Sequence, residues 1–265
     1  MGRWFEPSRG SGLVIGHLES SKLRKFFSFS LKISTIFPTS FLYFSKKSLI
    51  AYTILCLIPF FAVSFANSLP NSSKTPIFSQ SEQIILILGK PGNTQGKLYF
   101  FAADGGEWKE IVSRVPVWFG RSGLISADKK REGDGFTPSG SFPVKRVFGY
   151  TRRSIRNLEY TQIRRKDHWS DASNSKHYNQ FIRNYEKGAT SLWNSPIYQL
   201  FIAIEHNTNA SIPGYGSMIF LHPWDETKPT SGCVGLKFSD LETIIQNLNG
   251  NKNPFILIVE SEEEI

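Results

Sequence analysis

Leu221–Leu236 reads LHPWDETKPTSGCVGL. It places His222 at the end of an apolar run, SMIFL, and Cys233 eleven residues later, behind a glycine. The run has strand character, and a strand end is a rigid platform for a base. The span DETKPTS between the two is polar and holds a proline, so it forms a loop that folds Cys233 back toward His222. Thiolate, not thiol, is the nucleophilic form of cysteine. An adjacent imidazole can take the thiol proton and hold a thiolate–imidazolium pair. Gly232 permits a tight turn and clears room for a carbonyl substrate. Backbone N–H groups around Gly232 to Val234 would then face a developing oxyanion, where such donors are worth several kcal/mol. A plainer reading stands beside this one, because a free cysteine is commonly a small buried hydrophobe.

Outward from this segment, one helix is well marked. SDLETIIQNLNG carries Ser239 and, three residues on, Glu242, the spacing of a capping box. Leu241, Ile244, Ile245 and Leu248 fall at i, i+3, i+4 and i+7 and make one apolar face. Gly250 is placed to close the helix in a left-handed cap. Pro254 then leads into FILIVE, a buried strand, and the acidic tail ESEEEI is solvated.

Upstream, QIILILG and KLYFFA are apolar runs separated by KPGNTQG, which carries turn residues, so they read as a hairpin. EWKEIV, VPVWFG, VKRVFGY, LEYTQI, IYQLFIAIE and GSMIFLH continue as strand-like segments at irregular spacing. RSGLISADKKREGDGFTPSGSFP, rich in Gly and charge, reads as a loop. The expectation is one mainly β domain over residues 81–261, mixed sheets with a few short helices. Phe is abundant at 22 residues, which suits pleated surfaces.

The N-terminal third is different. Residues 48–66, SLIAYTILCLIPFFAVSFA, follow Lys46 and Lys47 and end in Ser64-x-Ala66. These are the parts of a secretory signal peptide. The stretch is also about long enough to span a bilayer as an uncleaved anchor. Residues 1–47 form a basic extension rich in Ser and Phe, and 67–80 read as a linker of Ser, Asn and Pro. An exported protein, in the periplasm or cell envelope, is the expectation. Cys56 lies in the apolar run, which leaves Cys233 as the single thiol of the domain.

Charge argues against one class of partner. The net charge is +9, but residues 1–66 hold eight Lys/Arg against two Asp/Glu. The domain keeps an excess of only about three and shows no clustered basic surface for nucleic acid. Asp167, His168, Asp171 and His177 are ligand types without the spacing of a zinc site. REGDGFTPSG lacks the Gly-Lys-Ser/Thr ending of a phosphate loop and reads as a substrate-side loop. No metal and no cofactor are expected. Trp169, Trp193 and Trp224 either line a groove or pack in the core; Trp224, two residues after His222, is the one placed to touch substrate.

IFLHPWDETKPTSGCVGL resembles the active-site segment of the L,D-transpeptidase catalytic (YkuD) domain family. That family has a His at a strand end and then Ser/Thr-x-Gly-Cys, matched here by His222, Thr230, Gly232 and Cys233. A branch with Pro-Thr-x-Gly-Cys-Val is closer. The stretch from Arg121 through Glu132, Gly133, Asp134, Gly135, Thr137 and Pro138 to Gly140 and Phe142 is also similar to that branch. So are HWSDASNSKHYNQF and IPGYGSMIFLH. The resemblance spans roughly residues 83–260. It implies that Cys233 attacks the L,D amide of a peptidoglycan stem peptide and that His222 serves as base and then acid. It further implies oxyanion and turn roles for Gly232, Val234 and Thr230, and a thioacyl-enzyme passed to an amine or to water. Ser231 and Trp224 are implied on the substrate side. An L,D-carboxypeptidase or amidase, and a non-catalytic cell-wall-binding protein, are the alternatives on the same scaffold. Many members carry Arg or Asn two residues after the cysteine, where this chain has Gly235. Arg121 is the candidate replacement, as a bidentate carboxylate binder. The branch often has Tyr before Asn207; here His206 stands there, either a second proton-handling group or a strand or loop residue near the site.

Overall fold

A computed structural model describes residues 76–261 apart from Glu226. The expectations for the basic extension, for the signal or anchor at 48–66 and for 67–75 lie outside the described residues. The end of the stretch read as linker is ordered: Ile77–Gln80 form a helical turn, α1, with Ile77 buried.

β1 (Gln83–Leu88) and β2 (Gln95–Asp104) form the hairpin that KPGNTQG suggests, with Leu88 opposite Lys97. β3 (Glu107–Trp118) continues the meander as one strand, although the sequence shows two runs there. The join is absorbed as an irregularity in which Arg114 takes φ 52°. The segment read as a Gly- and charge-rich loop instead contains β4 (Leu124–Ser126) and β5 (Thr137–Pro143). The reason is long-range: β5 pairs antiparallel with β14 (Phe255–Val259), Phe142 opposite Ile256.

β6 (Arg146–Gly149), β7 (Glu159–Gln162), β11 (Leu200–Ala203), β12 (Phe220–Pro223) and β13 (Val234–Leu236) complete an eleven-stranded mixed sheet. Its order is β4-β5-β14-β1-β2-β3-β13-β12-β11-β6-β7. β8 (His168–Ser170), β9 (Gln180–Ile182) and β10 (Thr190–Ser191) form a separate small sheet with β8 in the middle. The fold is mainly β, as the sequence indicates.

β1 is apolar at nearly every position because it is covered on both faces. Ile85 and Ile87 enter the main core, while Ile84 and Leu86 pack with Ile77, Phe101, Leu257 and Val259 on the other side. A third cluster of Phe148, Ile163, Trp169, Leu192, Phe201, Ala203 and Phe220 backs the site.

α2 (Phe238–Asn247) lays Leu241, Ile244 and Ile245 into the main core. Its ends differ from expectation. Lys237 is the N-cap and makes no side-chain cap. Ser239 lies inside the helix, where its carbonyl accepts from Thr243 Oγ1, and Glu242 pairs with Arg153 at 2.6 Å instead of reaching back. The guanidinium from a distant loop is the stronger partner for a carboxylate than one backbone amide. Gly250 opens a 3₁₀ turn instead of capping α2. A Cβ there would lie 1.7 Å from Asn157 O, so close backbone approach explains the glycine.

Candidate active site

β12 and β13 are parallel neighbours, Leu221 opposite Val234 and His222 opposite Gly235. Paired residues share a face and faces alternate along a strand. Cys233 stands one residue before β13 and two before Gly235, so it falls on the His222 side. Strand spacing and rise put the two Cα atoms on the order of 8 Å apart. The packing agrees: Cys233 contacts the cluster that holds Phe220, two residues before His222 and on its face.

His222 is buried, and its Nδ1 lies 2.8 Å from Pro223 O. A carbonyl can only accept, so Nδ1 carries the proton and Nε2 keeps its lone pair. Burial pushes this imidazole down to about 4, with the Pro223 carbonyl opposing. The Trp224 ring meets it edge-on at 5.6 Å.

The Cys233 thiol donates to Met218 O at 3.2 Å. Burial pushes it up to about 11, against the pull of the Phe220 N–H and the Lys130 charge. Both members of the pair are therefore neutral at rest. This differs from the thiolate–imidazolium pair expected from sequence. The physical reason is the apolar cluster at Cys233's back, which disfavours a separated pair of charges.

Two threonines clamp the Cys233 backbone. Thr230 Oγ1 donates to Cys233 O at 2.7 Å and Thr137 Oγ1 to the same oxygen at 3.1 Å. Thr137 is itself held by Gly120 N–H at 2.8 Å. Thr230 also accepts Gly232 N–H at 3.2 Å. Thr230 thus builds the turn. Val234 is fully buried within the β12–β13 ladder. Of the amides around Cys233, that of Gly232 is thus spent inside the turn.

Gly232 has φ +149°, and a Cβ there would press on Phe136 O at 3.1 Å, so only glycine fits comfortably. Ser231 beside it is exposed. Arg121 lies against the same loop: its N–H donates to Thr230 O, and its guanidinium reaches Gly133 O at 2.9 Å from an exposed position. Trp224 is half-buried and donates to Lys228 O. Gly235 packs directly under it, and a Cβ at 235 would lie 2.5 Å from Trp224 Cβ. The missing Arg or Asn at 235 is thus coupled to the tryptophan that fills its place.

Trp169 is core, and Trp193, 38% exposed, leans on Tyr150. His206 is buried with Nε2 donating to Tyr215 O. Asp167 pairs with Arg183, His177 with Glu186, and Asp171 accepts from Thr190. These groups pair separately and form no cluster of three or more ligand types among the described residues, and Asp171 Oδ1 is buried without a hydrogen-bond partner. Sequence reasoning gave no role to Thr137, Met218 or Asn179. Each acts through contacts made across 15 to 96 residues of chain or through backbone atoms, which carry no local signal.

Residues 92–256 match YkuD, the L,D-transpeptidase catalytic domain. No curated protein matches. Solved structures of the helical cell shape determining protein Pgp2 from Campylobacter jejuni, one of them a point mutant, are similar at 15% and 16% identity. Each alignment covers 68% of this chain, with TM-scores of 0.38 and 0.37. The chain spans about half the length of those structures, 49% and 48%. With the family match running over more than half of its residues, this chain belongs to the YkuD L,D-transpeptidase catalytic domain family.

Proposed function

We propose that this chain is an exported cysteine acyltransferase that cleaves the L,D amide of peptidoglycan stem peptides and passes the acyl group to an amine. The observation that carries the reading is the placement of Cys233 beside His222 on one face of adjacent strands, with His222 Nδ1–H locked on Pro223. Sγ attacks the carbonyl carbon while its proton moves to Nε2. The oxyanion is met by the Cys233 amide. The C–N bond breaks as the imidazolium returns its proton to the leaving amine. The thioester is then attacked by an acceptor amine, with Nε2 taking the amine's proton; the C–S bond breaks and the imidazolium returns that proton to Sγ. Because the pair rests neutral, proton transfer accompanies attack instead of preceding it.

Incubating the purified chain with a disaccharide tetrapeptide tests this. Release of the terminal D-amino acid with dimer formation supports transpeptidation. Release without dimers would make the chain an L,D-carboxypeptidase. One observation favours a non-catalytic cell-wall binder, namely the neutral thiol bonded to Met218. Absence of both product and acyl adduct would remove the acyl-transfer reading for this stem peptide.

The pH profile follows from the same groups. Activity requires neutral His222, so it is lost as pH falls through about 4. We expect kcat/KM to stay level from about pH 5 to 9. An acid limb near the ordinary imidazole value of about 6.5 would overturn the neutral pair.

Arg121→Ala is expected to raise KM roughly tenfold with kcat held, since one charge-assisted contact to the stem-peptide carboxylate is worth about 1.4 kcal/mol or more. Unchanged KM would remove Arg121 from the substrate site.

A further inference from the structure

Asn179 is 3% exposed, sits in left-handed backbone at φ 57°, and spends the whole capacity of its side-chain amide. Its Oδ1 accepts from Trp169 Nε1 and from Met218 N–H, both at 3.1 Å. Its Nδ2 donates to His206 O at 3.1 Å and Asn207 O at 2.8 Å. Two donors and two acceptors met in this way leave only one orientation of the amide. The fold therefore builds a rigid peg at this point, joining the small sheet to the segment that enters β12.

Of its four partners, Met218 leads to the site. Met218 holds φ 54°, a conformation that non-glycine residues keep only where their surroundings enforce it. Asn179 supplies the enforcement at the N–H of that residue. The carbonyl of the same residue receives the Cys233 thiol proton at 3.2 Å. Neighbouring Ser217 is tied separately, its Oγ donating to Glu132 at 2.7 Å.

We propose that Asn179 is a positioning residue for Cys233, acting through the Met218 peptide: it fixes the carbonyl that parks the thiol proton and aims Sγ toward the substrate. This rests on Cys233 being the nucleophile, as argued above. A bond to the thiol proton favours the uncharged form. Loosening Met218 therefore makes the thiolate easier to form and, at the same time, lets Sγ leave its attack position.

The test compares Asn179→Ala with Trp169→Phe in the full chain. Alanine loses the bond to Met218. Trp169→Phe removes the other bond to Oδ1 and perturbs the cluster on which Met218 packs, while the Met218 N–H bond stays. Two quantities are read, the thiolate absorbance of Cys233 against pH and the kcat and KM of turnover. Asn179→Ala is expected to lower the thiol midpoint by about one unit and to cut kcat roughly tenfold or more with KM held. Trp169→Phe should leave the thiol midpoint in place. A folded Asn179→Ala chain with unmoved midpoint and kcat overturns the proposal, as does an equal shift in Trp169→Phe. If Asn179→Ala does not fold, Asn179→Ser, too short to reach Met218, takes its place. Amide hydrogen exchange of the unaltered chain is independent of any variant: Met218 N–H must exchange slowly, and fast exchange overturns the proposal. The thiol titration and exchange need no substrate, so a chain inactive on stem peptides would defeat the proposed function and leave this inference to be decided by itself.

Discussion

Cys233→Ala is expected to abolish both release of the D-amino acid and dimer formation, a loss of at least about 10⁴-fold. The side chain supplies the only thiol among the described residues. The fold should survive. Alanine keeps Cβ packing against the Phe220 cluster and loses one weak bond to Met218 O, so the unfolding free energy should change by about 1 kcal/mol or less. Intact mass after exposure to substrate should show no acyl adduct. Residual turnover above about a hundredth of the parent rate would show that His222 and the amides act on water directly.

The second large effect is on stability, at a glycine with no chemistry of its own. Gly120→Ala should lower stability by roughly 3 kcal/mol or more. A Cβ at 120 would lie 2.1 Å from Gly135 O and 3.0 Å from Gly232 Cα, so the obstacle is backbone on both sides. Gly120 also pairs with Thr230 and donates to Thr137, the two clamps of the Cys233 carbonyl. Strain at this junction therefore reaches Cys233, and activity should fall even in the folded fraction. Gly133→Ala is the comparison. Its φ of +70° disfavours alanine, yet nothing lies within 4 Å, so the cost should be only about 1 kcal/mol. Equal denaturant midpoints for the two variants would show that the loops can separate.

Local chemistry made much of this protein legible before any coordinates. The hairpin β1–β2 follows from apolar runs around a turn, and the α2 face follows from 3.6-residue spacing. Cys233 and His222 stand out because a glycine, a strand end and a short loop are chemically unusual together. Where local signals competed with distant partners, they lost. Ser239 and Glu242 have capping-box spacing, but Arg153 captured the glutamate. TPSGSFP looks like a loop, but β14 was there to pair with it. Gly250 looked like a cap, but Asn157 O needed the space.

The β class and the family resemblance were thus determined by sequence alone, as was the choice of Cys233 and His222 as a candidate pair, because periodicity and turn chemistry act over a few residues. The state of that pair was decided only by tertiary structure. Burial against Phe220 and its neighbours favours the neutral imidazole and the neutral thiol, and the Met218 carbonyl accepts a hydrogen bond from that thiol. Protonation depends on desolvation and on atoms brought together from across the chain, and neither is written in any short stretch of it.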